Sequence, residues 1–142
     1  MGQRFASAAL FLAAFAGSAL AAVESVEIRS RLDPNAIEIT GIDVLFLYDE
    51  ATAARIPATK SAWYGNRRTL TMELGEAFDL VSTFIPQGFD SARLNLPDRA
   101  ADAIRVLVFA EHGASDSPPV DITEMTNVLI EIDPFGIQVS RQ

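Results

Sequence analysis

His112 is the only histidine of the chain and the residue best suited to acid–base chemistry at neutral pH. Glu111 precedes it, and Asp116 and Asp121 follow shortly after, so a general base or one metal ligand is conceivable. One imidazole without any cysteine is a poor ligand set for zinc, and a hydrolase would need this one histidine for every role. We therefore expect a loop residue, with no catalytic residue, no metal site and no cofactor.

Other motifs of catalysis are missing from the sequence. No serine lies in a Gly-x-Ser-x-Gly elbow, the glycines form no phosphate-binding loop, and no calcium loop of alternating acids is present. Asp43 is the most unusual carboxylate because it lies on an otherwise apolar strand, where it needs a partner, and Arg105 is the expected one. The sequence thus predicts that the protein is not an enzyme.

Trp63, Tyr64, Arg67 and Arg68 bring the only tryptophan, one of two tyrosines and two arginines within six positions. Aromatic residues and arginine are enriched in protein–protein interfaces, so these four residues are candidates for partner binding. In the alternative interpretation, Trp63 and Tyr64 only pack the segment onto the fold, while the arginines offset an acidic surface. The residue types alone leave both interpretations open.

Helices and strands must position these candidate residues. The sequence pattern over most of the chain predicts short strands. Two stretches, 37–48 and 104–110, are apolar on both faces and are expected to be central strands. In the first, Ile42, Val44 and Phe46 share one face, whereas Leu45 and Leu47 share the other with Asp43. Alternating or apolar runs predict further strands at 23–28, 77–85, 91–96, 127–132 and 137–140.

Turn signals separate the predicted strands. Asp33-Pro34-Asn35 is one, and Asp133-Pro134-Phe135-Gly136 predicts a hairpin. Seven or eight short strands at this spacing predict a mainly all-β fold, a two-layer antiparallel β-sandwich. We expect residues 23–142 to form a single domain.

Residues 49–74 interrupt the strand pattern and predict a short helical insertion. Asp49 is a suitable N-cap for a helix over 50–55, which Pro57 would stop. Thr59 would cap a second helix over 60–68, and its spacing would bring Trp63, Tyr64 and Arg67 near one face.

The N-terminal segment 1–22 reads as an export signal. Arg4 supplies the positive charge, residues 8–16 the apolar core, and small residues precede a cleavage site after Ala21 or Ala22. A buried helix or a retained anchor is the alternative, but the apolar run is too short for a stable anchor. We expect a periplasmic or secreted protein.

The charge balance restricts the partners. The whole chain has 11 basic and 19 acidic residues and a net charge of −8, and Arg4 is the only charge within the predicted signal. An acidic surface argues against nucleic acid and against an anionic membrane face. The chain has no cysteine, so these residues form no disulfide and offer no thiol for a lipid anchor.

The order of features resembles the TssJ-like periplasmic lipoproteins of type VI secretion systems. The resemblance lies in the Asp33-Pro34-Asn35 turn, the strand Ile42–Tyr48, the aromatic helical insertion, and three later segments. Those segments are Val81-Ser82-Thr83-Phe84-Ile85-Pro86-Gln87-Gly88, Leu94-Asn95-Leu96-Pro97, and Val106-Leu107-Val108-Phe109-Ala110. The lipid-bearing cysteine of that family is absent, and Ala21-Ala22-Val23 stands in its place.

The resemblance implies a transthyretin-like sandwich and a non-enzymatic, periplasmic protein-interaction module. It implies a structural or accessory role in a type VI secretion envelope complex, with the large inner-membrane component as the partner and residues 49–74 as the binding region. A small-ligand binding or carrier sandwich is the alternative, and it predicts an apolar cavity between the sheets. A hydrolase that uses His112 is a third hypothesis.

Overall fold

A computed structural model describes residues 20–35, 40–113 and 115–142. Its strands and helices, in chain order, are β1 (Ser25–Ser30), β2 (Thr40–Leu47), α1 (Glu50–Arg55), α2 (Lys60–Leu74), β3 (Phe78–Ile85), β4 (Ser91–Arg93), β5 (Arg105–Ala110), β6 (Val120–Asp121), β7 (Asn127–Asp133) and β8 (Gly136–Arg141). Short 3₁₀ turns cover Gly75–Ala77 and Ala100–Asp102. The predicted signal falls almost entirely outside the described residues, as do residues 37–39 of the first predicted central strand.

The strands form two four-stranded sheets, which confirms the predicted β-sandwich. The first sheet has the order β4-β1-β7-β8 and the second has the order β3-β2-β5-β6. The one departure from the antiparallel prediction is the parallel pairing of β1 with β7. Between these two strands the chain passes through the second sheet twice and adds the short strand β4 to the first, and such a long connection permits either strand direction.

The core between the sheets contains aliphatic and aromatic side chains from both layers. The fully buried residues of β2 on this side are Ile42, Val44 and Phe46. Leu45 and Leu47 face outward and are also fully buried. The predicted division of this strand into two covered faces is therefore confirmed.

Helix α2 covers the outer face of the second sheet and creates the second apolar cluster. Asp49 caps α1 by accepting a hydrogen bond from Thr52 N at 2.7 Å, and Thr59 Oγ1 caps α2 by accepting one from Ala62 N at 3.3 Å, as predicted. Helix α2 continues to Leu74 and not to residue 68, because Gly75, at a φ of 51°, ends it.

The hairpin between β7 and β8 and the short strand β4 are local features of the first sheet that the sequence predicted. Asp133 Oδ1 accepts hydrogen bonds from the backbone N of Phe135 and Gly136, so the predicted hairpin between β7 and β8 is confirmed. Strand β4 is shorter than the predicted 91–96 and ends at Arg93. Beyond it, Leu94 N still donates to Val26 O at 2.9 Å before the chain turns at Pro97.

Candidate functional site

Trp63 anchors helix α2 to the second sheet. Its side chain is fully buried and stacks on Phe109 of β5, with ring centroids 5.4 Å apart and an interplanar angle of 11°. Its Nε1 donates a hydrogen bond to Asp43 Oδ2 at 2.9 Å. In this structure Trp63 has no surface to offer to a partner, and it acts by fixing the helix that carries the other three candidates.

Asp43 is the centre of a polar network beneath α2. It is only 3% exposed, and its Oδ1 accepts a hydrogen bond from Ser82 Oγ at 2.7 Å. Arg67 Nε lies 2.8 Å from Asp43 Oδ2 in an ion pair, although its N–H is not aligned for a hydrogen bond. Arg67 also donates from Nη2 to Ser82 Oγ at 2.6 Å.

The predicted pairing of Asp43 with Arg105 is wrong. In the β2–β5 ladder Arg105 lies opposite Leu47, at the far end from Asp43, which lies opposite Phe109. Arg105 is also exposed, whereas the cation that reaches Asp43 comes from the helix above the sheet. Arg67 therefore serves first as the counter-ion of a buried carboxylate, and its side chain remains 40% exposed.

Tyr64 lies beside this network, half-buried. Its hydroxyl is 3.2 Å from Phe109 O and 3.4 Å from Gly41 O, so it donates to the end of the β2–β5 pair. Burial raises the pKa of Tyr64 above its ordinary value, and the nearby carboxylates of Asp43 and Glu111 raise it further. The phenol therefore stays neutral and acts as a hydrogen-bond donor.

Arg68 is exposed and forms no ion pair with any described residue. It lines a shallow apolar cleft of about 370 Å³. A second cleft, of about 330 Å³, shares Arg67 with the first. We call the two together the α2–β3 groove. Its lining includes Arg67, Arg68, Thr71, Met72, Leu80, Ser82 and Phe84, and the second cleft also contains the carboxylates of Asp43 and Glu111.

The groove also contains two exposed apolar side chains that the sequence-based candidates missed. Met72 is 76% exposed and Phe84 is 64% exposed. Phe84 lies in a strand that is apolar on both faces near its end, and Met72 lies on the solvent side of the helix. Those patterns were the available signals, but neither indicates by itself that both residues line clefts that contain Arg67.

The fold resembles solved structures of type VI secretion lipoproteins. One is Serratia marcescens Lip, a membrane bound component of the type VI secretion system, with a TM-score of 0.51, 14% identity, and coverage of 82% of this chain and 96% of that chain. Another is the T6SS lipoprotein TssJ1 from Pseudomonas aeruginosa, with a TM-score of 0.51, 10% identity, and coverage of 83% and 94%. The chain has a TssJ-like fold. No protein-family model and no curated protein matches it significantly.

Outside the groove, the loop that follows β5 is fixed to the start of α2. Lys60 Nζ donates to Gly113 O at 2.6 Å and to His112 O at 3.2 Å. Asp116 accepts hydrogen bonds from the backbone N and the hydroxyl of Ser61, and these bonds lower the pKa of its carboxyl. The loop after β5 thus holds the N-terminal end of α2 in place.

His112 lies in this loop, as predicted, with its Nε2 2.5 Å from Asp133 O. Within residues 20–35, 40–113 and 115–142, no three histidine or acidic side chains come together closely enough to hold a metal ion. None of the helices in the described part of the chain has the length and apolar character needed to cross a bilayer.

Proposed function

We propose that the chain is a non-enzymatic protein-interaction module of the cell envelope, a structural or accessory component of a type VI secretion complex. The observation that carries the proposal is the TssJ-like fold, which spans more than four-fifths of the chain and nearly all of two secretion lipoproteins. The acidic composition and the lack of a recognisable catalytic motif support the same role. The proposed site of action is the periplasm, after cleavage of the N-terminal signal.

The proposed partner is the periplasmic part of the large inner-membrane component of the secretion complex. The partner-facing residues are Tyr64, Arg67 and Arg68, on the helix that Trp63 anchors. Arg68 is the most informative of them because it is exposed and forms no ion pair among the described residues. Arg67 is less suitable for a test, since reversing its charge would also place two carboxylates together at Asp43.

The test is affinity purification of the tagged full-length chain from envelopes of its own host, followed by mass spectrometry. We expect the inner-membrane component of the secretion complex to co-purify with the wild-type protein and to be depleted with Arg68→Glu. Arg93→Glu, an equal charge reversal on β4 of the other sheet, is the matched control. Failure to recover any secretion component with the wild-type chain would refute the proposed function.

A small-ligand carrier remains the second proposal because one cleft penetrates the edge of the sandwich. It has a volume of about 390 Å³, and its lining combines apolar residues such as Val108, Val120 and Ile137 with polar ones such as Lys60 and His112. This size is within the range of small-molecule sites. Native mass spectrometry of the exported protein decides the matter: an extra bound mass supports a carrier, and the bare polypeptide mass argues against it.

A further inference from the structure

Strand β3 is a long, uncovered edge. It is the outermost strand of the second sheet and has eight residues, whereas the other edge strands, β4, β6 and β8, have three, two and six. Proteins usually protect such edges with prolines, lysines or short strands. Strand β3 contains no proline and no lysine, and its single charge, Asp79, is paired with Arg99.

The backbone pattern of β2 shows which groups of β3 point outward. Glu111 N donates to Gly41 O, so Gly41 and every second residue after it direct their backbone groups toward β5. The residues between them must therefore pair with β3, because hydrogen-bonding direction alternates along an antiparallel strand. By the register of β2 with β3, the β3 residues whose N–H and C=O face the open edge are Leu80, Ser82 and Phe84.

The same three residues point their side chains into the α2–β3 groove. Leu80 packs against the second apolar cluster, beneath α2, and Phe84 is mostly exposed. Ser82, between them, accepts the hydrogen bond from Arg67. A strand added to this edge would thus have one face along the groove, with apolar contacts at either end, Arg67 at its middle, and Arg68 in the cleft that Leu80 lines.

We propose that the edge of β3 binds an extended, acidic segment of the partner protein as an additional β-strand. Across from Ser82, a carboxylate would meet Arg67, with Arg68 in the adjoining cleft, while residues two positions to either side would meet Leu80 and Phe84. The recognised pattern is therefore apolar-x-acidic-x-apolar. The inference rests on the proposed function as a protein-interaction module and specifies the chemistry of its partner.

Charge selects this occupant over a second copy of the chain. Two β3 strands paired around a two-fold axis near Ser82 would bring Arg67 and Arg68 of both copies together. Like charges placed opposite each other destabilise a strand pair, whereas an acidic segment neutralises the unpaired Arg68. A partner segment with at least one carboxylate neutralises the charge of Arg68, whereas a second copy adds further positive charge beside it.

Amide hydrogen exchange tests the proposal directly, with a synthetic peptide that contains Val-Thr-Asp-Thr-Val and a control peptide with Lys in place of Asp. In the free exported protein, Val81 and Thr83 should exchange slowly and Leu80, Ser82 and Phe84 quickly. Saturation with the acidic peptide should protect the latter three, and the lysine peptide should bind roughly tenfold more weakly. Absence of protection at these three amides would overturn the proposal, as would their protection by self-association without peptide.

Variants distinguish binding through the backbone of β3 from binding through the side chains of the groove. Arg68→Glu should lower the affinity for the acidic peptide roughly tenfold, while Arg93→Glu should leave this affinity unchanged. Phe84→Ala removes only the ring, whereas Phe84→Pro also removes an outward N–H, which an edge strand tolerates. Phe84→Pro should therefore bind more weakly than Phe84→Ala, and equal affinities would contradict strand addition.

The two proposals fail independently. Recovery of the secretion component without protection of Leu80, Ser82 and Phe84 would refute strand addition and leave the envelope function standing. Peptide binding at this edge without recovery of any secretion component would refute the proposed function and leave the edge as a docking site. If Phe84→Pro does not fold by circular dichroism, the Arg68→Glu comparison and the exchange pattern of the wild-type protein decide the matter.

Discussion

At the scale of single residues, the buried carboxylate of Asp43 connects the sheet to the helix above it. Trp63 and Arg67 of α2 and Ser82 of β3 surround it. Without the carboxylate, the buried Nε1 of Trp63 would lose its hydrogen-bond acceptor and Arg67 would lose its counter-ion. Asp43 therefore determines how α2 is positioned and where Arg67 and Arg68 emerge.

Replacement of Asp43 by alanine should lower the free energy of unfolding by about 1–3 kcal/mol, the usual cost of leaving a buried donor unsatisfied. Asp43→Asn keeps acceptor oxygen for Trp63 Nε1 and should cost less. Urea denaturation followed by the fluorescence of Trp63, the only tryptophan, measures both. Equal stability of the alanine variant and the wild type would contradict the network.

The sequence indicated that Asp43 needs a partner but not which residue provides it. Strand periodicity placed Asp43 on the same face as Leu45 and Leu47, and the structure confirms this. Its partner depends on where α2 lies over the sheet, which is a tertiary property that no local pattern contains. The prediction therefore chose Arg105 from the neighbouring strand and missed Arg67.

At the scale of elements, Asp79 joins the start of β3 to the turn before β5. Its Oδ2 accepts hydrogen bonds from Tyr48 at 2.5 Å and from Arg99 at 2.9 Å, and Arg99 also lies 3.9 Å above the Tyr48 ring centroid. The hydrogen bond from Arg99 is the main cause that lowers the pKa of Asp79, and the one from Tyr48 adds to it. Asp79 therefore favours its charged form in the folded state.

This lowered pKa predicts a loss of stability in acid. The folded pKa lies below the ordinary value of 3.8, so the contribution of Asp79 is present above that value and is lost as the pH falls through the folded pKa. The stability difference between wild type and Asp79→Asn should be largest near neutral pH and shrink below pH 3.8. Denaturation at several pH values measures it, with the exposed Asp98→Asn as control. A difference that does not change with pH would contradict this assignment.

Elements were more predictable from the sequence than their arrangement. The caps at Asp49 and Thr59 are local signals, since each side chain accepts a bond from a backbone N three residues later. The end of α2 was predicted too early, although Gly75 was the stop signal. The parallel pairing of β1 with β7 and the edge position of β3 were not predictable, because strand order depends on which distant segments meet.

At the scale of the whole molecule, the chain combines an acidic composition with two arginines in the α2–β3 groove, of which Arg68 has no ion pair among the described residues. The net charge of −8 opposes binding to polyanions, yet Arg67 and Arg68 project from α2 beside an open strand edge. The long-range electrostatic field of the acidic protein therefore repels anionic ligands, whereas Arg67 and Arg68 attract them at short range. A short acidic segment can use the local contacts, whereas an extended polyanion would also meet the repulsion of the acidic protein.

For the proposed signal cleavage, the hydrogen bonds of the first described residues predict where the mature chain begins. Cleavage after Ala21 leaves an ammonium at Ala22, whose N donates to Thr123 O at 2.8 Å, and gives up only the bond from Ala21 N to Ala103 O. Cleavage after Ala22 would instead place the charge on Val23, which is 5% exposed, and a buried ammonium is costly. Intact mass and N-terminal sequencing of the exported protein should therefore find Ala22 as the first residue. A chain that begins at Val23 would contradict this reasoning, and an uncleaved chain would contradict the export signal itself.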